Sequence, residues 1–183
     1  MTHLFALSAA AADIMNISLR SRLSAARLTY IDSLHGTSRQ QSFTASLLLD
    51  EAIRLCCPSV PRPLDIAANE NGKPYLTAAP DVHFSLSHSA AWAVCAVSDH
   101  PVGVDIQQCR SFKPNIADRF FHPDEVQQFC VDIACQPPAI TVGAPGSLFV
   151  PNFPDPAYKL GVCVQKKNEK SPTLTVLPQL FTP

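Results

Sequence analysis

Three short stretches of this chain carry side chains suited to phosphates and cations: Asn71-Gly72-Lys73-Pro74, Ser87-His88-Ser89 and Gly103-Val104-Asp105-Ile106. Asp105 sits among Val and Ile in a run of strand length. A carboxylate inside an apolar strand is costly to bury unless something pairs with it. A hard divalent cation, which takes oxygen ligands, is the natural partner. Lys73 stands in a turn where Gly72 permits a positive backbone dihedral and Pro74 fixes the exit. Its ammonium is a point charge suited to a phosphate. Arg39, Gln40 and Gln41 lie in the first turn of the longest helical run, where free N–H groups and the helix dipole favour an anion. Each feature also has a plainer reading. An aspartate at a strand end often serves a turn or cap, Ser-His-Ser is a common loop sequence, and a polar first turn is often only solvated.

The elements that must position these residues are legible from period and punctuation. Val82, Phe84 and Leu86 alternate with His83, Ser85 and Ser87, the period of a half-buried strand. Trp92 to Val97 is a compact apolar run, Asp99-His100-Pro101 makes a turn, and Val102 to Ile106 is a third strand. This meander is expected to bring His88 and Asp105 together, with Phe84, Leu86, Trp92, Val94, Val97, Val104 and Ile106 in sheet and mostly buried. Leu4 to Leu7 reads as an edge strand and Ser24 to Tyr30 as helical, with Arg20, Arg22 and Arg27 supplying positive charge. Ser38 to Leu55 is the strongest helix: Phe43, Leu47 and Leu48 form one stripe, Ile53 and Leu55 extend it, and Gly36 and Pro58 punctuate its ends. Leu64 to Ala67 is a short strand. Farther on, Asn115 to Phe121 suggests a helix, and His122-Pro123-Asp124-Glu125 starts another that runs to about Ala134. Gln136 to Pro156 reads as mostly loop, Tyr158 to Gln165 as a strand and Leu174 to Leu177 as a last strand.

Composition bounds the function. A chain of 183 residues makes one domain, or two small lobes sharing a core. Fourteen basic against 15 acidic residues, net charge -1, argue against nucleic-acid binding, which needs a basic face. No apolar run reaches the roughly 18 residues that a membrane span needs. Leu4 to Ala12 is apolar but has no Lys or Arg before it, so it reads as a strand and turn rather than a signal peptide. Seven cysteines without a C-x-x-C pair suggest free thiols in a cytoplasmic protein.

Together the motifs resemble the surfactin-type 4'-phosphopantetheinyl transferases. Four segments carry the resemblance in the family's order: Asn71-Gly72-Lys73-Pro74, Phe84-Ser85-Leu86-Ser87-His88-Ser89, Gly103-Val104-Asp105-Ile106, and Arg119-Phe120-Phe121 with Glu125. It extends over about Leu23 to Phe129 and returns at Asp155 to Cys163. The resemblance implies an α+β fold of two similar small lobes with antiparallel sheets and packed helices, here residues 1–100 and a shortened second lobe, 101–183. It implies transfer of phosphopantetheine from coenzyme A to a serine of an apo acyl or peptidyl carrier protein, with magnesium, by a cytoplasmic monomer. Lys73, Ser87 and His88 would bind the nucleotide and its 3'-phosphate, and Asp105 would hold magnesium. Gln107 stands where the family often has glutamate. Gln41 stands at the family's phosphate-binding basic position, so Arg39 or an arginine from Arg20 to Arg27 would substitute. The family's W-x-x-K-E helix has no counterpart: the chain has no Lys-Glu dipeptide, and its one Trp is Trp92. Asp124 and Asp132 are the nearest carboxylates that could replace its glutamate, and without one the chain would bind coenzyme A or 3',5'-ADP but not transfer.

Overall fold

A computed structural model describes residues 1–109, 147–149, 153–164 and 174–177. Its long helix, α3 (Gly36–Cys56), packs on one face of a four-stranded sheet. In that sheet β4 (His83–Ser89) pairs with β5 (Trp92–Ser98), β5 with β1 (His3–Ser8), and β1 with β9 (Leu174–Leu177). The first two pairings are antiparallel and β1–β9 is parallel. Phe43, Leu47 and Ile53 of α3 are completely buried against Phe5, Leu7, Phe84, Ala93, Cys95 and Val97. The helix starts at Gly36 with φ +56°, and nothing lies within 4 Å of where a Cβ would stand. The backbone conformation, not crowding, therefore favours glycine there.

The opposite face of the sheet is also covered. Leu4, Ala6, Val94 and Ala96 share a second core with Val102, Val104 and Ile106 of β6 (Val102–Gln108) and Leu160, Val162 and Val164 of β8 (Tyr158–Val164). These strands belong to a second, antiparallel sheet ordered β6–β8–β7, with β7 at Ser147–Phe149. Burial on both faces explains why β1 and β5 read as nearly continuous apolar runs. A separate hairpin pairs β2 (Ile66–Ala68) with β3 (Pro74–Leu76).

Most expected elements are present, with four corrections. Leu4 to Leu7 is no edge strand: β1 lies between β5 and β9. The early helical stretch is α2 (Ala25–Ser33), capped by the Ser24 side chain and preceded by a single turn, α1 (Ile17–Arg20). The stretch read as mostly loop from Gln136 to Pro156 contains β7. The strand at Ile66–Ala68 begins two residues later than Leu64. All seven meander residues expected in sheet lie in strands, with Leu86 and Trp92 half-buried and the others buried. The five described cysteines are free thiols: Cys95 is buried, Cys163 faces solvent, and burial pushes Cys56 up to about 11. The helices expected at 115–121 and 122–134 lie outside the described residues.

One polar cluster had no local signal in the sequence. Asp50 and Glu51 are buried on α3. Arg22 Nε donates to Asp50 at 2.6 Å and its Nη2 to Glu51 at 2.7 Å. Arg62 reaches Asp50 at 3.2 Å, and Arg54 reaches Glu51 at 2.5 Å. Burial works against the charge on Glu51, but the bonds from Arg54 and Arg22 outweigh it and hold its carboxyl below the usual range. The cluster ties the segment around α1 and α2 to the long helix.

Candidate functional site

The site grows from the line along which β4 and β6 meet. The two strands belong to different sheets, and no backbone ladder joins them. Alternate serines of β4 make the join. Ser85 Oγ accepts the N–H of Val104 at 3.1 Å, Ser87 Oγ that of Ile106 at 3.2 Å, and Ser89 Oγ that of Gln108 at 3.1 Å. Period-2 alternation puts all three hydroxyls on one face of β4. The pattern S-x-S-x-S was the available sequence signal for this seam.

Asp105 lies beside it. Val102, Val104 and Ile106 turn into the second core, whereas Gly103 is half-buried and Asp105 and Gln107 are exposed. The carboxylate is therefore not buried in an apolar strand, and the cost that would have demanded a counter-charge does not arise. Asp105 Oδ1 accepts from Ser87 Oγ at 2.7 Å. The Gln107 amide Nε2 lies 3.4 Å from Oδ1 and 3.2 Å from Oδ2. No cationic side chain pairs with Asp105 among the described residues.

Lys73 reaches the same strand from the β2–β3 turn. Gly72 has φ +75°, and its N–H bonds Asn69 O at 2.8 Å. The Asn69 side chain accepts from the N–H groups of Asn71 and Lys73, an Asx turn that the reading of Gly72 and Pro74 alone overlooked. Lys73 Nζ donates to Val102 O at 3.2 Å. Val102 and Asp105 are three residues apart on β6, about 10 Å at strand rise. The turn lysine and the aspartate thus flank one short stretch of strand.

His88 does not join Asp105. It is exposed, and alternation puts it on the face of β4 that carries Phe84 and Leu86 toward α3. The β4–β6 seam, in place of the expected meander, brings Ser87 and not His88 to the carboxylate. At the start of α3, Arg39 pairs with Asp32 at 2.6 Å, and Arg20 shares that carboxylate. Hydrogen bonds from Arg20 and Arg39 hold Asp32 down to about 2. Arg39 Nε is buried without a hydrogen-bond partner among the described residues, and Gln41 Nε2 donates to Ala90 O at 3.2 Å. Arg27 donates to the Ser46 and Ser42 hydroxyls and lies 5.0 Å above the Tyr30 ring; burial lowers its pKa.

The two-residue turn after β4 is strained and held from three sides. Ala90 has φ +45°. Besides the Gln41 bond, Ala91 O accepts the N–H of Ala9 at 2.8 Å, and Ala91 N donates to Tyr158 Oη at 3.2 Å. Trp92 Nε1 donates to Asp155 at 3.3 Å, and Phe153 stands edge-on to Trp92 at 5.1 Å. Left-handed backbone costs an alanine about 1–2 kcal/mol, and glycine's extra unfolded freedom offsets about 0.5–1. Ala90→Gly is expected to raise stability by up to about 1 kcal/mol in urea unfolding; a loss of stability would show the turn to be unstrained.

No family profile matches the chain. Individual proteins do. The chain is 36% identical to a 4'-phosphopantetheinyl transferase of Bacillus subtilis over 91 residues, 50% of this chain and 41% of that protein. It is 49% identical over 57 residues to the transferase gsp of Aneurinibacillus migulanus, covering 31% of this chain and 23% of that protein. The psf-1 transferase of Bacillus pumilus is 48% identical over 67 residues, 37% of this chain and 27% of its own length. The chain is a relative of the surfactin-type 4'-phosphopantetheinyl transferases. It spans less than half the length of these curated relatives. Of the residues carrying that resemblance, Lys73, Ser87 and Asp105 gather along the seam, while His88 lies on the other face of β4. Arg119, Phe120, Phe121, Asp124, Glu125 and Asp132 lie outside the described residues.

The chemistry of the Asp105 carboxylate, a hard oxygen donor, suits part of a magnesium site. Magnesium is commonly held by one or two carboxylates, with substrate phosphates and water completing the shell. Asp105 is an exposed carboxylate with no cationic partner among the described residues, and the Gln107 amide nitrogen donates to it. Among the described residues no group of three or more His, Cys, Asp or Glu could hold a metal. No described helix is long and apolar enough to cross a membrane.

Proposed function

We propose that this chain transfers the 4'-phosphopantetheine group of coenzyme A to a serine of an apo acyl or peptidyl carrier protein, acting as a cytoplasmic monomer of two lobes, 1–100 and 101–183. The serine oxygen would attack the pantetheine-side phosphorus of the pyrophosphate. The bond to the bridging oxygen would break, 3',5'-ADP would leave, and the serine proton would pass to solvent or a base. The observation that carries this reading is Lys73 and Asp105 flanking one stretch of β6, an ammonium bonded to Val102 O and a carboxylate with no cationic partner among the described residues. Lys73, Ser87 and His88 would contact the nucleotide and its phosphates, with Arg39 at the α3 N-terminus as a further positive group. Asp105, with Gln107 two residues on, would hold a magnesium ion, which would supply charge neutralisation at the pyrophosphate. Gly72 and Pro74 hold the lysine turn in place.

The test is the intact mass of an apo carrier protein incubated with this chain, coenzyme A and magnesium. A gain of one phosphopantetheine supports transfer. A second reading, a relative that binds coenzyme A or 3',5'-ADP without transferring it, is favoured by the absence of any Lys-Glu dipeptide in the sequence. Coenzyme A binding without modification of the carrier would select it. Under either reading Lys73→Ala removes a charge-assisted contact of about 1.5–3 kcal/mol, a fall of roughly ten- to hundredfold in coenzyme A affinity. Calorimetry showing unchanged affinity would remove Lys73 from the site.

A further inference from the structure

We infer that Asn71-Gly72 is a spontaneous deamidation site that its own turn holds in check, and that its conversion sets a carboxylate beside Lys73. It is the one Asn-Gly pair in the 183 residues. Asparagine is among the thermally labile residues, and a following glycine favours the loss because it has no side chain to crowd the ring that must form. The Gly72 nitrogen gives up its proton to solvent and attacks Asn71 Cγ. A C–N bond forms, ammonia leaves, and the five-membered imide then takes up water at either carbonyl. One asparagine and one water become an aspartate or isoaspartate and one ammonia, with nothing oxidised or reduced. Both residues are exposed, and nothing lies within 4 Å of where a Gly72 Cβ would stand, so the ring has room and water.

What the turn withholds is the nitrogen. The Gly72 N–H, whose proton must leave, donates to Asn69 O at 2.8 Å. On either side of it the N–H groups of Asn71 and Lys73 both donate to Asn69 Oδ1, at 3.0 and 2.9 Å. The Asn69 N–H closes the loop on Lys73 O at 3.0 Å. Swinging the Gly72 nitrogen onto Asn71 Cγ breaks this set, so ring closure proceeds from the opened turn and its rate follows the open population. The product bears on Lys73. Aspartate adds a negative charge two residues from the lysine, and isoaspartate also inserts a methylene into the backbone, which the Asn69 cap cannot span in register. The effect on a bound phosphate rests on the transferase reading above; the reaction itself does not.

The experiment incubates the full chain at mildly alkaline pH, once folded and once in urea. The peptide containing Asn71 is followed by mass, and isoaspartate by enzymatic methylation. The folded chain is expected to convert at least about tenfold more slowly than the unfolded one, the worth of even one hydrogen bond that opening must break. Asn69→Ala, which removes Oδ1, is expected to speed conversion of the folded chain severalfold, and Asn69→Asp, which keeps an acceptor there, to restore the parent rate. Equal rates in the folded and unfolded parent, or no conversion in urea, overturn the inference whether or not a variant folds. So does a folded Asn69→Ala chain that converts at the parent rate. Calorimetry reads the consequence: Asn71→Asp is expected to weaken 3',5'-ADP binding about three- to tenfold, and unchanged affinity overturns the link to Lys73. A parent chain that binds no 3',5'-ADP removes the transferase reading, and the conversion rates still decide the site.

Discussion

Replacing Asp50 with alanine is expected to cost about 3–5 kcal/mol of folding stability. Asp50 is 1% exposed and stands between two arginines, with Arg22 bonding one carboxylate oxygen and Arg62 the other. Alanine leaves both guanidinium groups partly buried opposite an apolar methyl. Most of the expected loss is their uncompensated desolvation, not the value of the original contacts. Arg22 retains Glu51, which keeps the effect toward the lower end. Asp50→Asn preserves shape and two hydrogen-bonding atoms but not the charge, so it is expected to fall between parent and alanine. Urea unfolding at neutral pH measures all three, and a loss below about 1 kcal/mol for alanine would show the arginines to be adequately hydrated. Surface pairs are worth far less: Arg20–Asp32 is partly exposed, and its removal is expected to change less than the loss of Asp50.

The second large effect is expected at Phe84. Its ring is 1% exposed, and it anchors β4 in the core beneath α3. Phe84→Ala deletes a whole aromatic side chain and opens a cavity in a packed layer, a change that typically costs about 3–5 kcal/mol. Three residues along the same strand, Ser87 holds Asp105, so displacement of β4 would also disturb the seam. The expected result is a lowered urea midpoint together with weakened coenzyme A binding in the fraction that remains folded. Full stability after this change would mean that α3 does not rest on β4 as described.

Much of this architecture is readable locally. The long helix announces itself through Phe43, Leu47 and Leu48 between Gly36 and the prolines after Cys56. The lysine turn follows from Gly72 and Pro74, and the three strands β4, β5 and β6 from alternation and turn residues; the expected meander does not form, because β6 leaves β5 to pair with β8 in the second sheet. What is not readable has physical causes. The place of β1 inside its sheet depends on β5 and β9, and no periodicity within six residues encodes a partner that distant. Asp50 and Glu51 have the composition of a solvated helix face; only the arrival of Arg22, Arg54 and Arg62 makes their burial tolerable. At the site the parity of alternation decides the outcome. Ser87 and His88 are neighbours in sequence, and for that reason their side chains leave β4 on opposite faces. The exposure of Asp105 follows from the same rule applied to Val102, Val104 and Ile106.

The position of β1 also bears on synthesis. Leu4 pairs with Ala96 on one side and with Leu174 on the other. A ribosome adds about 5–20 residues each second, so β1 waits several seconds for β5 and longer for β9. Throughout that interval one edge of a flat, apolar strand offers unpaired N–H and C=O groups, an invitation to pair with another chain. A nascent or truncated product lacking residues 174–177 would carry the same open edge permanently. The late synthesis of β9 thus leaves one edge of β1 open after β5 has paired with it.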